Sequence, residues 1–247
     1  MYQTGVVSVS FRNLSPEEVI RAAMAAGLYH IEWGSDVHAP YADVERLQHI
    51  VQLQKSYGVN CCSYGTYFRL GETPLEELPG YIRAAKMLGT NILRLWIKWK
   101  RPWDYTEEEK QDLFTQCREA AKIAEEAGVI LCMECHRNTY TETKDSTLEL
   151  MKAVDSPAFR MYWQPGQERT VEENVQYARE LKDYTYHIHV FQCTVDARFP
   201  LAEGIDEWKT YLKEFSEDRC LLLEFMPDGK VESLPAEADS LRTIIGV

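Results

Sequence analysis

The sequence predicts a (β/α)8 barrel, in which eight parallel strands alternate with eight helices in one domain over residues 1–247. The chain has 247 residues and is 45% hydrophobic, which matches the roughly 250 residues and the large core that such a barrel needs. Strand-like and helix-like segments alternate eight times, the pattern of parallel βαβ units. No linker, low-complexity tract or block of charge divides the chain, so the sequence favours one domain.

The predicted strands are short apolar runs that end just before polar residues. They cover residues 5–10, 30–33, 59–64, 92–96, 129–134, 159–163, 186–190 and 220–225. Each is followed by a segment with helical start and stop signals, so the strands are expected to lie parallel.

The predicted helices are recognised by their first and last turns. In the first, Ser15 caps the start, Pro16 follows it, acidic residues occupy the first turn, and Gly27 ends the helix near residue 26. The others cover residues 43–57, 76–88, 106–127, 147–154, 170–181, 205–215 and 236–245.

A doubly wound open sheet is the main alternative for alternating strands and helices. That fold usually carries a glycine-rich phosphate loop after its first strand. Here the corresponding turn, residues 11–14, reads Phe-Arg-Asn-Leu and has no glycine. The closed barrel is therefore favoured.

The composition excludes several functional classes. A net charge of −12 argues against nucleic-acid binding, which needs a basic face. No apolar run approaches the roughly 20 residues of a membrane span. The start of the chain has no signal-peptide pattern and there are seven cysteines, so a cytoplasmic protein with free thiols is expected. Cys132 and Cys135 resemble half of a zinc or redox pair, but no second pair accompanies them.

Polar groups collect where the last four predicted strands end, the edge at which barrel active sites lie. They are Glu134, Gln164, His189 and Glu224. Side chains alternate along a strand, so if Glu134 points into the barrel, residues 130 and 132 do too. Two carboxylates, an imidazole and an amide oxygen suit a divalent cation, with Mn²⁺ or Mg²⁺ favoured and Zn²⁺ possible. The two glutamates could remove and return a proton on opposite faces of a sugar-like substrate.

Each of these residues also has a simpler interpretation. A single glutamate at a strand end is more often a solvated loop residue, and either His187 or His189 could be a core histidine. The joint pattern is more specific than any member, because four consecutive strands end in groups of the right type.

The chain resembles the xylose isomerase-like TIM barrels, which include sugar phosphate isomerases and epimerases, ketose 3-epimerases and inosose dehydratases. The resemblance covers nearly the whole chain and is carried by the segments at residues 10–18, 27–32, 131–136, 187–189 and 222–224.

By this resemblance, Glu134, Gln164, His189 and Glu224 match the family's Glu, Asp, His and Glu metal ligands, and Glu134 and Glu224 match its acid/base pair. Gln164 departs from the pattern because an amide replaces the aspartate. The ligand set loses one negative charge, so metal affinity is expected to fall, and the metal could be absent altogether.

Further substrate-binding candidates follow from position and resemblance. His136 follows strand five, and Arg198 lies after strand seven, although Arg198 could equally be a solvated loop charge. Gln167 stands where the family often has a substrate-binding histidine. Glu32 and His38 flank the end of strand two, and Trp96 could stack on a sugar face or be a rim aromatic. In order, these candidates are Glu32, His38, Trp96, His136, Gln167 and Arg198.

The expected function is isomerisation or epimerisation of a sugar or sugar phosphate by the Glu134–Glu224 pair. Two alternatives use the same site: dehydration of a keto-polyol, and metal-free binding of a sugar without catalysis. An apurinic endonuclease of the same superfamily uses a multi-zinc cluster with many more His, Asp and Glu ligands. The six histidines and the net charge of −12 argue against that function. The resemblance also implies a carbohydrate substrate and a possible homodimer.

Overall fold

The computed structural model describes residues 2–247. Within this range the strands are β1 Gln3–Val7, β2 His30–Gly34, β3 Asn60–Leu70, β4 Ile92–Ile97, β5 Ile130–Glu134, β6 Phe159–Trp163, β7 Thr185–Val190, β8 Gln192–Cys193, β9 Arg198–Phe199 and β10 Cys220–Leu223. All but β8 and β9 are parallel and close into a barrel in the order β1-β10-β7-β6-β5-β4-β3-β2. The predicted (β/α)8 barrel is confirmed, with β1 pairing to both β2 and β10.

Eight helices within the described range follow the barrel strands and pack outside them. They are α1 Pro16–Ala25, α2 Val44–Tyr57, α3 Leu78–Leu88, α4 Glu107–Ala127, α5 Lys144–Val154, α6 Val171–Leu181, α7 Ile205–Leu212 and α8 Leu234–Ile245. Helices α1, α4 and α6 begin with a capping box, in which a Ser or Thr side chain and a Glu three residues later satisfy each other's backbone N–H groups. Gly128 ends α4 at a φ of 67°, a left-handed conformation that glycine adopts without strain.

The alternation of side chains along the strands separates two apolar layers. On β5, Ile130 and Cys132 belong to a small cluster that also holds Leu222. Leu131 and Met133 belong to the large cluster between the barrel and its helices. The predicted division of β5 is confirmed, so Glu134 shares the barrel-facing side with residues 130 and 132.

Several strand ends differ from the predicted ones by one or two residues, and β10 ends at Leu223 instead of residue 225. Three differences are larger. β1 ends at Val7, because Ser8–Phe11 forms a 3-10 turn and the Ser8 hydroxyl accepts a hydrogen bond of 2.9 Å from Gly34 N. β3 continues to Leu70, past a change of register after Gly65. β8 and β9, which were not predicted, form an antiparallel pair after β7.

No helix in residues 2–247 is both long enough and apolar enough to cross a membrane.

Candidate active site

The four predicted site residues come together at the carboxyl end of the barrel. Gln164 Nε2 donates to Glu134 Oε1 at 3.1 Å, and Gln164 Oε1 lies 3.1 Å from His189 Nδ1. His189 Nδ1 is in turn 3.3 Å from Glu224 Oε2. Side chains from the ends of β5, β6, β7 and β10 therefore form one continuous chain of contacts.

A cavity of about 370 Å³ opens beside this chain. Gln164 lines it, together with His136, Gln167 and Arg198, three of the residues predicted to bind substrate. Their role in substrate binding stays a prediction. Glu134 and Glu224 lie next to it and are only 4% and 5% exposed. Neither glutamate lines the cavity itself, but each precedes a residue that does, Cys135 and Phe225 respectively.

Trp96 and Arg94, both on β4, contact Glu134. Trp96 Nε1 donates to Glu134 Oε2 at 2.6 Å, and Arg94 Nη1 lies 3.1 Å from the same oxygen. Guanidinium groups of Arg94 and Arg69 lie 4.9 and 5.4 Å from the Trp96 ring. The structure thus gives Trp96 a contact to the predicted base, whereas the sequence suggested that it stacks on a sugar.

Glu32 and His38 do not reach the cavity. Glu32 is fully buried; its Oε2 accepts from the Ser63 hydroxyl at 2.7 Å and its Oε1 accepts from Arg94 Nε at 3.2 Å. His38 is also fully buried, with Nε2 3.0 Å from the carbonyl oxygen of Leu14. Because both side chains are fully buried and neither lines the cavity, a substrate there would not contact them in this arrangement, and their predicted role in substrate binding stays a prediction.

Sequence reasoning missed Arg94, which is 1% exposed. A charged residue in the middle of an apolar strand, Ile-Leu-Arg-Leu-Trp-Ile at residues 92–97, is a signal that could have found it, because a buried charge needs a partner. Its partners Glu32 and Glu134 lie 62 and 40 positions away along the chain.

The two candidate catalytic carboxyl groups are shifted in opposite directions. Burial raises the pKa of both, but at Glu134 the opposing charges of Arg94 and the neighbouring histidines outweigh burial and hold the pKa below its usual value. At Glu224 burial, aided by the negative charge of Glu134, outweighs His189 and Arg94, and the pKa is raised. Two neighbouring carboxyl groups whose pKa values are shifted in opposite directions are typical of an acid/base pair.

His189 is held as a cation by the carboxylates around it. Burial alone would lower its pKa, but Glu224, Glu32 and Glu134 outweigh burial and raise the pKa of His189 to about 9. Its second nitrogen, Nε2, lies 3.6 Å from Glu32 Oε1.

A divalent cation is the group that the predicted ligand set implies, and the spacing of the donor atoms tests whether one fits. Gln164 Oε1, His189 Nδ1 and Glu224 Oε2 follow one another at 3.1 and 3.3 Å. Ligands held at about 2.1 Å in an octahedral shell lie about 3 Å apart, so this spacing fits a divalent cation. Among residues 2–247, His, Cys, Asp and Glu side chains by themselves form no group of three or more that could hold a metal. A cation at this point would be held by the Gln164 carboxamide oxygen together with His189 and Glu224.

The chain is similar to proteins that carry the names of different activities. The chain is 23% identical to the 3-dehydroshikimate dehydratase of Bacillus anthracis over 93% of both chains. The crystal structure of the probable 3-DHS dehydratase AsbF from Bacillus anthracis superposes with a TM-score of 0.83, at 20% identity over 98% of both chains.

D-psicose 3-epimerase from Clostridium cellulolyticum H10, solved with D-tagatose, superposes with a TM-score of 0.73, at 14% identity over 99% of both chains. At such low identities the two superpositions bear on the fold alone. The family model described as xylose isomerase-like TIM barrel matches residues 20–243. The chain therefore belongs to the xylose isomerase-like TIM barrel family.

Proposed function

We propose that this chain is an enzyme that removes the proton next to the carbonyl group of a small hydroxylated ketone and then eliminates water. The observation that carries the proposal is the contact chain from Glu134 through Gln164 and His189 to Glu224. It brings two carboxyl groups from β5 and β10, three places apart round the barrel, to one partly enclosed point.

Glu134 is the base in this reaction and Glu224 is the acid. The ionised Glu134 takes the proton from carbon, and the electron pair of that C–H bond passes into an enolate. The neutral Glu224 gives its proton to the hydroxyl on the next carbon, which leaves as water as the double bond forms. Proton exchange with solvent then restores both carboxyl groups. The opposite pKa shifts of the pair support these roles.

A divalent cation held by Glu134, Gln164, His189 and Glu224 would, when bound, polarise the carbonyl oxygen of the substrate as a Lewis acid. The chain's own residues do the rest: the carboxyl groups move protons, and His189, whose Nδ1 lies 3.3 Å from Glu224, would hold the cation through that unprotonated nitrogen. Burial excludes water and strengthens these electrostatic effects.

Two features support a dehydratase on an anionic substrate. The curated relative from Bacillus anthracis is named for dehydration of 3-dehydroshikimate, a hydroxylated cyclic ketone with a carboxylate. Arg137 and Arg198 line the cavity, and in the described part of the chain neither has a carboxylate within 4.0 Å, unlike Arg12 and Arg101 nearby. Arg198 lies over the Phe225 ring at 4.5 Å. In the described residues, two guanidinium groups without a carboxylate partner line the cavity, and such groups suit a substrate carboxylate.

The test is a panel of 3-dehydroshikimate, inososes and ketoses, with and without added Mn²⁺. Glu134→Gln and Glu224→Gln should each lower kcat by about 10²–10⁴-fold, the usual contribution of a general acid or base, while circular dichroism is unchanged. The matched control is Glu168→Gln, an exposed glutamate that borders a second cavity at the mouth. Full turnover by Glu134→Gln would remove the assignment.

Epimerisation is the second candidate, because a base and an acid on well-separated strands can also act on opposite faces of one carbon. Product analysis separates the two reactions. Loss of water from the substrate supports the dehydratase, and exchange of one solvent deuterium into an otherwise unchanged sugar skeleton supports the epimerase.

A further inference from the structure

Beneath the candidate site lies a polar network built on four side chains that are almost completely buried, those of Glu32, Ser63, Arg94 and Tyr162. The Tyr162 hydroxyl donates to Ser63 Oγ at 2.6 Å, and Ser63 donates to Glu32 Oε2 at 2.7 Å. Glu32 Oε1 accepts from Arg94, which also contacts Glu134. With His189 above Glu32, the network joins six neighbouring barrel strands, β2 to β7.

The backbone of β3 is shaped to make room for this network. A Cβ atom on Gly65 would lie 2.6 Å from Glu32 Oε1 and 2.9 Å from Arg94 Nη2. Gly65 is in a strand and has no left-handed φ, so its conformation does not require glycine. The space that it leaves is occupied by the Glu32–Arg94 ion pair.

We propose that Arg94 and Glu32 are positioning residues, which fix the carboxylate of Glu134 and the imidazole of His189 in the orientations that face the substrate. Arg94 contacts Glu134, and Glu32 lies beside His189 Nε2, so each member of the pair orients one group of the site. The inference rests on the proposed function in taking Glu134 as the base, but the positions of the two side chains can be measured without turnover.

Stability alone does not account for the pair. The desolvation penalty for burying two charged side chains is often larger than the favourable Coulomb energy between them. Apolar side chains of similar volume can often replace such an ion pair without a loss of stability. Here the cost is borne at 0% and 1% exposure, directly under the site. Groups that act in catalysis must be held close to their productive geometry by the shell behind them, which is what this pair provides.

The experiment compares wild type with Glu32→Gln, Arg94→Lys, Arg94→Met and Gly65→Ala, by crystal structure and by kcat and KM on the substrate identified for the wild type. A misplacement of about 1 Å can cost about 10²-fold in rate, so kcat should fall by that order in Arg94→Met and Glu32→Gln. KM should change less than about threefold, since substrate contacts remain. Arg94→Lys should recover part of the loss. Gly80→Ala is the steric control, because its Cβ would lie 2.9 Å from the Tyr41 ring, outside the site.

Crystal structures of the variants test the positioning role of Arg94 and Glu32 without any measurement of turnover. Displacement of Glu134 in Arg94→Met or of the His189 ring in Glu32→Gln supports it, even if no substrate in the panel is turned over, a result that would count against the proposed function alone. Unmoved side chains, or wild-type kcat in a folded Arg94→Met protein, would overturn it. If Arg94→Met fails to fold, the nearly isosteric Glu32→Gln variant carries the same two readouts.

Discussion

Gln164 makes two contacts at once, and an aspartate could not make the one in which Gln164 donates. Its carboxamide donates to Glu134 and accepts from His189 at once, 3.1 Å on each side. An aspartate could only accept, and it is one methylene shorter. The glutamine thus links the base to the imidazole, at the cost of one negative charge in the ligand set. Ligand charge is a main determinant of affinity for hard cations.

Gln164→Asp is therefore expected to bind Mn²⁺ more tightly than the wild type, by at least about tenfold. Isothermal titration of the metal-free proteins with Mn²⁺ measures this without any substrate. Gln176→Asp adds the same charge on the exposed face of α6 and should leave the affinity unchanged. Equal affinities of wild type and Gln164→Asp would mean that this position does not contribute a ligand.

The polar residues at the strand ends could be predicted from the sequence one by one, but the buried network of Tyr162, Ser63, Glu32 and Arg94 could not. Glu134, Gln164 and Glu224 could be predicted because alternation along a strand fixes which side chains point inward. Arg94 and Tyr162 could not be paired with their partners, because nothing local in a sequence relates Tyr162 to Ser63, 99 positions away. That pairing depends on barrel closure.

Among the secondary-structure elements, α4 shows how a capping box that can be recognised in the sequence stabilises the start of a helix. Thr106 Oγ1 accepts from Glu109 N, and Glu109 Oε2 accepts from Thr106 N at 2.9 Å. Lys100 Nζ lies 2.6 Å from the other carboxylate oxygen. These contacts, the lysine first, lower the pKa of Glu109 to about 2.

The folded state lowers this pKa from the ordinary value of 4.5 for a glutamate. The ionised Glu109 therefore stabilises the folded protein fully above pH 4.5, and this stabilisation is lost as the pH falls through about 2. Glu109→Gln should therefore lower the thermal midpoint at pH 7, and the gap to wild type should narrow as the pH is lowered from 5 to 2.5. Thermal unfolding followed by circular dichroism at each pH measures it. The exposed Glu108→Gln on the same turn is the control, and a gap independent of pH would contradict the expected linkage.

Element boundaries were predictable where a chemical signal marks them and not elsewhere. The start of α4 follows from Thr106 and Glu109, and its end from Gly128. β8 and β9 were missed because two-residue strands have no periodicity. They matter for the site, since Arg198 lies in β9 and lines the cavity.

For the whole molecule, the alternation of segments was enough to predict the barrel, because parallel strands with helical crossovers have few compact arrangements. The geometry of closure was less accessible. β1 must fit between β2 and β10, and the register pairs Gly5 with both His30 and Leu222. The close approach of these backbones arises only when the barrel closes, so no periodic pattern in the sequence indicates it.

Gly5 is the position at which closure should be most sensitive to a single methyl group. A Cβ there would meet the backbone carbonyl of His30, which cannot rotate away. Gly5→Ala should lower the free energy of unfolding by about 1–3 kcal/mol, the usual cost of overpacking, although alanine generally stabilises by restricting the unfolded chain. Urea unfolding measures the change. In Gly166→Ala the clash is with the mobile end of Arg169, so that variant should lose little; equal stabilities for both would show that β1 and β2 are not held at this spacing.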